Sequence, residues 1–166
     1  ALLANVSSMY AINHGKERLI DIAKTIHLKT KTIKYFLNNN FEVSKNNNYF
    51  DSFKILIKDN KKVFNNLKSH GFYTRLVDDG IMISVNENLS FVDCVNLINS
   101  YLLHIQRYNY DEINLDDFKK KYKEFESDYN SDLNSTIFTK DFIRNNNFLN
   151  KEIFKHEKSE TEMLRY

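Results

Sequence analysis

The chain has 166 residues, enough for one hydrophobic core of ordinary size. A hydrophobic content of 42% excludes a disordered chain, and a net charge of +2 is too small to indicate a nucleic-acid partner. The single cysteine, Cys94, excludes an internal disulfide, and no apolar run approaches the roughly 18 residues of a membrane span. With only 3 glycines the chain lacks the phosphate-binding loops of a complete α/β enzyme. We therefore expect an internal fragment whose glycine-rich parts lie elsewhere.

Apolar residues recur at helical spacing through the first forty residues, and Gly15 interrupts them. Before the glycine they are Leu2, Val6, Met9 and Tyr10. After it they are Leu19, Ala23, Ile26, Thr30, Ile33 and Leu37. This pattern predicts a long amphipathic helix from Gly15 to Leu37, entered through a shorter helical piece and ended by the three asparagines at 38–40.

Residues 41–106 alternate between strand and helix patterns. Strands are predicted at 49–58, 72–77 and 81–86, with a short helix after Asp59 that ends at Gly71. Asp78-Asp79-Gly80 between the last two strands indicates a hairpin. Ser90 and Asp93 resemble a capping box for a helix with Phe91, Val95, Ile98, Leu102 and Ile105 on one face.

This order predicts an α/β fold with a three-stranded mixed sheet. The helical crossover is long enough for a right-handed parallel pair, while the hairpin strands are antiparallel. One face of the sheet needs a cover, and the long N-terminal helix and the helix after Ser90 are the available ones.

The last third of the chain is more polar. Leu115, Phe118, Tyr122 and Phe125 predict one amphipathic helix. An irregular connector follows at 127–150, with anchors at Ile137, Phe138, Phe142, Phe148 and Leu149. Ser159 and Glu162 form a capping box that opens a final helix.

Candidate chemistry is sparse. The five histidines, His14, His27, His70, His104 and His156, show no metal-ligand spacing, and we interpret them as packing or surface residues. His14 lies in the break between two helical pieces, where it either caps a helix end or contacts another part of the protein. Cys94 is interpreted as an inert core thiol, and Asp78 and Asp79 as turn residues. The residues alone therefore assign no catalytic, cofactor-binding or metal site.

The basic stretch at 119–123 has interleaved aromatic residues, Phe118 and Tyr122, as some single-strand nucleic-acid binders do. The neighbouring Asp116, Asp117, Glu124 and Glu126 cancel the positive charge. We interpret the stretch as a solvated helix face and expect no nucleic-acid partner.

Two blocks of sequence resemble the glycine cleavage system P-protein family, the pyridoxal-phosphate-dependent glycine dehydrogenases (decarboxylating). The opening block is Ala-Leu-Leu-Ala-Asn at 1–5, Met9-Tyr10-Ala11 and His14-Gly15. The closing block is Ser-Glu-Thr-Glu-Met-Leu-Arg-Tyr at 159–166. The stretch between them follows the family in order, with a loose patch near 107–135.

In this family one long chain contains two related halves of fold-type I transferase architecture. The resemblance implies that residues 1–14 end a large domain and that 15–40 form the interdomain helix. It further implies that 41–106 are a small α/β domain, that 107–158 connect the halves and that 159–166 begin the second half. His14, Glu160 and Arg165 are then candidates for the interface between halves.

The resemblance also implies an activity, namely decarboxylation of glycine and transfer of the aminomethyl group to the lipoyl arm of the H-protein. The cofactor is pyridoxal phosphate, but its lysine belongs to a later motif outside this chain, so the fragment is expected to be inactive alone. The full-length chain is expected to form a homodimer, in the cytoplasm of a bacterium or the mitochondrial matrix of a eukaryote.

Two positions depart from the family pattern. Lys158 stands where the family has His before the Ser-Glu-Thr block, and Asn86 to Ser90 replace an acidic-threonine pattern. An alternative remains a free-standing ligand-binding or protein-interaction module with a ferredoxin-like sheet.

Overall fold

The computed structural model describes residues 2–39, 41–43, 48–104, 111–131, 146–155 and 159–165. Its helices are α1 (Leu2–Asn38), α2 (Asn60–Ser69), α3 (Phe91–His104), α4 (Leu115–Ser131) and α5 (Glu160–Arg165). Its strands are β1 (Glu42–Val43), β2 (Ser52–Leu56), β3 (Arg75–Val77) and β4 (Gly80–Ser84), and a 3-10 turn spans Glu152–Phe154. The α/β class and the long N-terminal helix are confirmed.

The prediction of a three-stranded mixed sheet is wrong. The sheet has four strands in the order β1-β2-β4-β3, and every neighbouring pair is antiparallel. β2 and β3 do run in the same direction across the α2 crossover, but β4 lies between them. This is a split β-α-β arrangement. The length of the crossover sets the direction of β3 relative to β2, but it does not determine which strands lie next to each other. That depends on which strand has apolar side chains to bury. β4 takes a central position because its Ile81 and Ile83 side chains are fully buried there.

The fourth strand, β1, was missed because two residues are too short for an alternating pattern to show. Val43 pairs with Ile55 and is 4% exposed, so this short strand closes one edge of the core.

The hairpin at 78–79 is confirmed, but Gly80 serves a different purpose from the predicted one. Val77 pairs with Gly80, so the loop is Asp78-Asp79 alone and Gly80 is the first residue of β4. Gly80 does not have positive φ. A Cβ on it would lie 2.0 Å from the Ile55 carbonyl oxygen, so glycine is needed for the close approach of β2 and β4.

The helices cover one face of this sheet. Strand residues Phe53, Ile55, Ile81 and Ile83 form a single core with residues of α1, α2, α3 and α4. The capping box of α3 is confirmed, because the Ser90 amide donates to Asp93 Oδ2 at 2.9 Å and the Asp93 amide donates to Ser90 Oγ at 3.1 Å.

Helix α4 is part of this core as well. Phe118 is fully buried, with its ring 6.2 Å from that of Phe36 and 5.6 Å from that of Phe91. The Asn114 side chain accepts a hydrogen bond from the Asp117 amide at 2.9 Å and caps the helix. The predictions for Ile105, Ile137, Phe138, Phe142, His156 and Lys158 fall outside the described residues.

Candidate functional site

The break in α1 at Gly15 is the best candidate for a site. Gly15 has φ 64° and ψ −176°, so the helix is interrupted there as predicted. We call residues 2–14 the leading helix and residues 16–38 the bridge helix. A Cβ on Gly15 would lie 2.5 Å from the Phe154 carbonyl oxygen. Glycine is therefore required both for the backbone angle and for the contact with the 3-10 turn.

His14 lies at this break and packs against Tyr10, with ring centroids 4.3 Å apart. Its Nδ1 atom is buried and has no hydrogen-bond partner among the described residues. Nδ1 therefore does not cap a helix end, which was one of the two roles that the sequence left open for His14.

A cleft of about 540 Å³ opens beside the break. Its lining is charged and aromatic and comprises His14, Gly15, Lys16, Glu17, Arg18, Leu149, Asn150, Phe154 and Lys155. Lys16 Nζ donates to Asn147 Oδ1 at 3.2 Å and lies 5.4 Å from the ring centroid of Phe148. Lys155 Nζ pairs with Glu152 Oε2 at 2.8 Å. Lys16 and Lys155 are thus engaged within the chain, and the described lining residues include no nucleophile paired with a base.

The loop between β4 and α3, residues 85–90, joins the two parts of α1. Tyr10 Oη donates to Glu87 Oε2 at 2.5 Å, and this hydrogen bond raises the pKa of the Tyr10 hydroxyl. On the bridge helix, Lys29 Nζ donates to the carbonyl oxygens of Leu89 at 2.6 Å and Glu87 at 3.3 Å. The same short loop therefore contacts the chain on both sides of the break.

Sequence reasoning missed Lys29, which is only 6% exposed. A charged residue in an amphipathic helix is ordinarily expected on the polar face. The signal was its spacing, three residues after Ile26 and four before Ile33, which places it on the core-facing side. A lysine at such a position needs hydrogen-bond acceptors, and loop carbonyls supply them here.

The two other interface candidates lie on α5. The capping box is confirmed, because the Ser159 amide donates to Glu162 Oε2 at 2.8 Å and the Glu162 amide donates to Ser159 Oγ at 3.3 Å. Glu160 and Arg165 are exposed on this short helix. In the described part of the chain, neither side chain forms a hydrogen bond or an ion pair.

The other histidines that the structure describes pack or cap. His27 is 7% exposed, Nδ1 lies 2.9 Å from the Phe50 carbonyl oxygen, and burial lowers the pKa of the ring. His70 follows α2 at its C-terminal end, where Nδ1 lies 2.8 Å from the Asn66 carbonyl oxygen. The packing or surface interpretation is confirmed for both. The side chain of His104 is outside the described part.

Cys94 and the hairpin aspartates also have structural roles. Cys94 is buried, and desolvation raises the pKa of its thiol to about 12. Asp79 pairs with Lys54 at 2.8 Å, and this hydrogen bond lowers the pKa of its carboxyl group. Within the described ranges, no three His, Cys, Asp or Glu residues are grouped to hold a metal ion.

The lysine-rich stretch of α4 does not present its aromatic residues to a ligand. Phe118 and Tyr122 are buried, and Lys121 pairs with Glu124 at 2.8 Å while lying 4.3 Å from the ring centroid of Tyr35. Base stacking on these rings is therefore blocked. Among the helices that the structure describes, none combines the length and apolarity needed to cross a bilayer.

Comparison with known proteins gives the same family from a family model and from individual relatives. The family described as "Glycine cleavage system P-protein" matches residues 1–101. A Schizosaccharomyces pombe protein named as a mitochondrial glycine dehydrogenase (decarboxylating) is 28% identical over 173 residues. The mitochondrial glycine dehydrogenase (decarboxylating) of Dictyostelium discoideum is 27% identical over 168 residues. The glycine dehydrogenase (decarboxylating) of Saccharophagus degradans is 28% identical over 167 residues.

These relatives are much longer than the chain. The first two matches cover 100% of this chain and the third covers 99%, yet each covers 16% of the relative. The chain therefore spans about 16% of the length of the curated relatives it matches.

Proposed function

The chain belongs to the glycine cleavage system P-protein family, and on that premise we propose that it is a structural segment of a pyridoxal-phosphate-dependent glycine decarboxylase. The parent enzyme would decarboxylate glycine and pass the aminomethyl group to the lipoyl arm of the H-protein. The segment would contribute to that enzyme by joining domains rather than by touching the substrate. Relatives named as glycine dehydrogenases match it from end to end, which supports the proposal.

The observation that carries the joining role is the contrast between the two parts of α1. The bridge helix buries Leu28, Ile33 and Leu37 in the core. The leading helix instead exposes a continuous apolar stripe made of Leu2, Leu3, Val6, Met9 and Tyr10, with exposures of 74%, 80%, 54%, 39% and 38%. An apolar stripe of this kind indicates a contact surface. We propose that it packs against a large domain that residues 1–14 complete.

The remaining divisions follow from the same proposal. Residues 15–40 would be the interdomain helix, and 41–106 the small domain of a fold-type I transferase. Residues 107–158 would connect the two halves, and 159–166 would begin the second half. His14, Glu160 and Arg165 would lie at the interface between halves, and the exposure of Glu160 and Arg165 leaves them accessible for it.

We propose that the cofactor, pyridoxal phosphate, is bound by parts of the enzyme other than the described residues. A pyridoxal phosphate site needs an available lysine, and the one buried lysine that the structure describes, Lys29, already donates to two loop carbonyls.

The partners and location are part of the proposal as well. The parent enzyme would act with the lipoylated H-protein and the other components of the glycine cleavage system, as a homodimer. It would be found in the cytoplasm of a bacterium or the mitochondrial matrix of a eukaryote. Relatives from both kinds of organism support this range.

A chimera tests the joining role. The matching segment of the Saccharophagus degradans relative is replaced by this chain, and glycine decarboxylation is measured with lipoylated H-protein. We expect activity in the chimera and none in the isolated chain. Adding Val6→Glu should abolish the activity, because a carboxylate would be buried in the proposed contact. Ser8→Glu, on the opposite face of the leading helix, is the matched control and should retain it.

The chimera also separates the proposal from a free-standing module. Such a module would not depend on Val6, and it would be monodisperse alone despite the exposed stripe. A Val6→Glu chimera as active as the Ser8→Glu control would show that the stripe makes no contact in the enzyme.

A further inference from the structure

The leading helix is held loosely to the rest of the chain. Every residue from Leu2 to Tyr10 is exposed, and the core cluster formed by the described residues includes none from 2–14. Its orientation cannot depend on core packing. It depends on the backbone at Gly15 and on contacts made near the break.

The loop after β4 is, in contrast, a fixed point. Asn86 Oδ1 accepts hydrogen bonds from the amides of Asn88 at 3.0 Å and Leu89 at 3.2 Å. Lys29 ties the same loop to the bridge helix through the Leu89 carbonyl oxygen at 2.6 Å. The position of the Glu87 backbone relative to the bridge helix is therefore set by contacts that do not involve Tyr10.

We propose that Gly15 is a hinge between the leading helix and the bridge helix, and that the hydrogen bond from Tyr10 to Glu87 is the latch that holds it in the observed orientation. Glycine can absorb a large change in φ and ψ without a steric penalty, which a hinge requires. The latch joins a residue before the hinge to a loop fixed on the part of the chain after it. The inference concerns this chain by itself and does not rest on the proposed enzyme activity.

The latch is the right point to test. Changing the hinge itself is uninformative, because a Cβ on Gly15 would displace the 3-10 turn at Phe154. Tyr10→Phe removes one hydroxyl from an exposed ring and leaves the hinge intact. Tyr73→Phe is the matched control, since Tyr73 is 83% exposed and lies far from the break in sequence.

The measurement is a spin-label distance across the hinge. Labels are attached at Ala4→Cys on the leading helix and Asn96→Cys on α3, both of which replace exposed residues. The native Cys94 can stay, because it is buried and desolvation raises the pKa of its thiol to about 12. Pulsed electron paramagnetic resonance then gives the distribution of distances between the labels.

The doubly labelled parent chain should give one narrow distribution. Tyr10→Phe should add a second population or broaden the first, with about a fivefold rise in orientations away from the observed one. Tyr73→Phe should match the parent, and the thermal midpoint of Tyr10→Phe should stay close to that of Tyr73→Phe. The proposal would be overturned if the doubly labelled chain with Tyr10 unchanged already gave a broad distance distribution. It would also be overturned if the distance distribution of Tyr10→Phe were identical to that of Tyr73→Phe. The chimera activity plays no part in either outcome, so the two proposals can fail separately.

Discussion

Gly80 approaches Ile55 on the neighbouring strand so closely that a Cβ would lie 2.0 Å from the Ile55 carbonyl oxygen. Both residues are in the central pair of the sheet, where Gly80 is opposite Leu56 and Ile55 is opposite Ile81. The atom in the way belongs to the backbone of a central strand and cannot rotate aside. The backbone spacing between β2 and β4 therefore depends on the absence of a side chain at position 80.

Gly80→Ala should consequently destabilise the fold by about 3 kcal/mol, at the upper end of the cost of forcing atoms into a packed core. Gly71→Ala is the control, since open space surrounds Gly71 and only its φ of 84° opposes a side chain. That variant should lose about 1–2 kcal/mol. Urea unfolding followed by circular dichroism measures both, and equal losses would show that the sheet relaxes around the new methyl group.

At Tyr101 we expect a substitution to stabilise the fold. Its ring is fully buried and lies 5.8 Å from that of Phe41, while its hydroxyl has no hydrogen-bond partner among the described residues. Removing an unsatisfied buried hydroxyl should help, so Tyr101→Phe is expected to stabilise the chain by about 1 kcal/mol. Tyr122→Phe is the matched control, because the Tyr122 hydroxyl is hydrogen-bonded to Thr25 and its loss should cost about 1 kcal/mol. The prediction is wrong if both variants shift the urea midpoint in the same direction.

The Cys94 thiol should not react with alkylating reagents in the folded chain. The thiolate is the reactive form, and desolvation raises the pKa of this thiol to about 12. Iodoacetamide at neutral pH should leave the native chain unmodified by mass spectrometry, whereas the same reagent in urea should add one label. A Ser90→Cys variant, exposed at the start of α3, supplies the positive control for reactivity under native conditions. Labelling of native Cys94 at the rate of that control would contradict its burial.

His27 should make stability depend on pH. Burial lowers its pKa below the ordinary value of 6.5, with the nearby Lys31 acting in the same direction and the Phe50 carbonyl opposing both. Below pH 6.5 the unfolded chain therefore binds a proton that the folded chain does not. The contribution of His27 is fully present above pH 6.5 and is lost as the pH falls toward the lowered value.

Urea midpoints measured from pH 7.5 to 5 test this expectation. The wild-type chain should lose stability across the interval, and His27→Gln should flatten the dependence because it removes the titrating group. His70→Gln makes the same substitution at an exposed position and is the control for the exchange itself. An unchanged slope in His27→Gln would mean that other groups produce the pH dependence.

The sequence alone determined the elements that depend on local pattern. The long helix, its break at Gly15 and its end at Asn38 follow from apolar spacing and from residues that disfavour helix. The capping boxes at Ser90 and Ser159 were predictable because both partners lie within four residues. The family resemblance was also visible in the sequence, because each of the two blocks that carry it is made of residues close together in the chain.

Only the tertiary structure decided which strands are neighbours and which polar residues face inward. The crossover after β2 fixed the direction of β3, but the burial of Ile81 and Ile83 placed β4 between them. Lys29 is buried because the loop after β4 offers it two carbonyl oxygens, and that loop is about 60 residues away along the chain. The spacing of apolar residues reflects only interactions between residues that are close in sequence. Contacts between residues far apart in sequence, such as that of Lys29 with the loop, form only when the chain has folded.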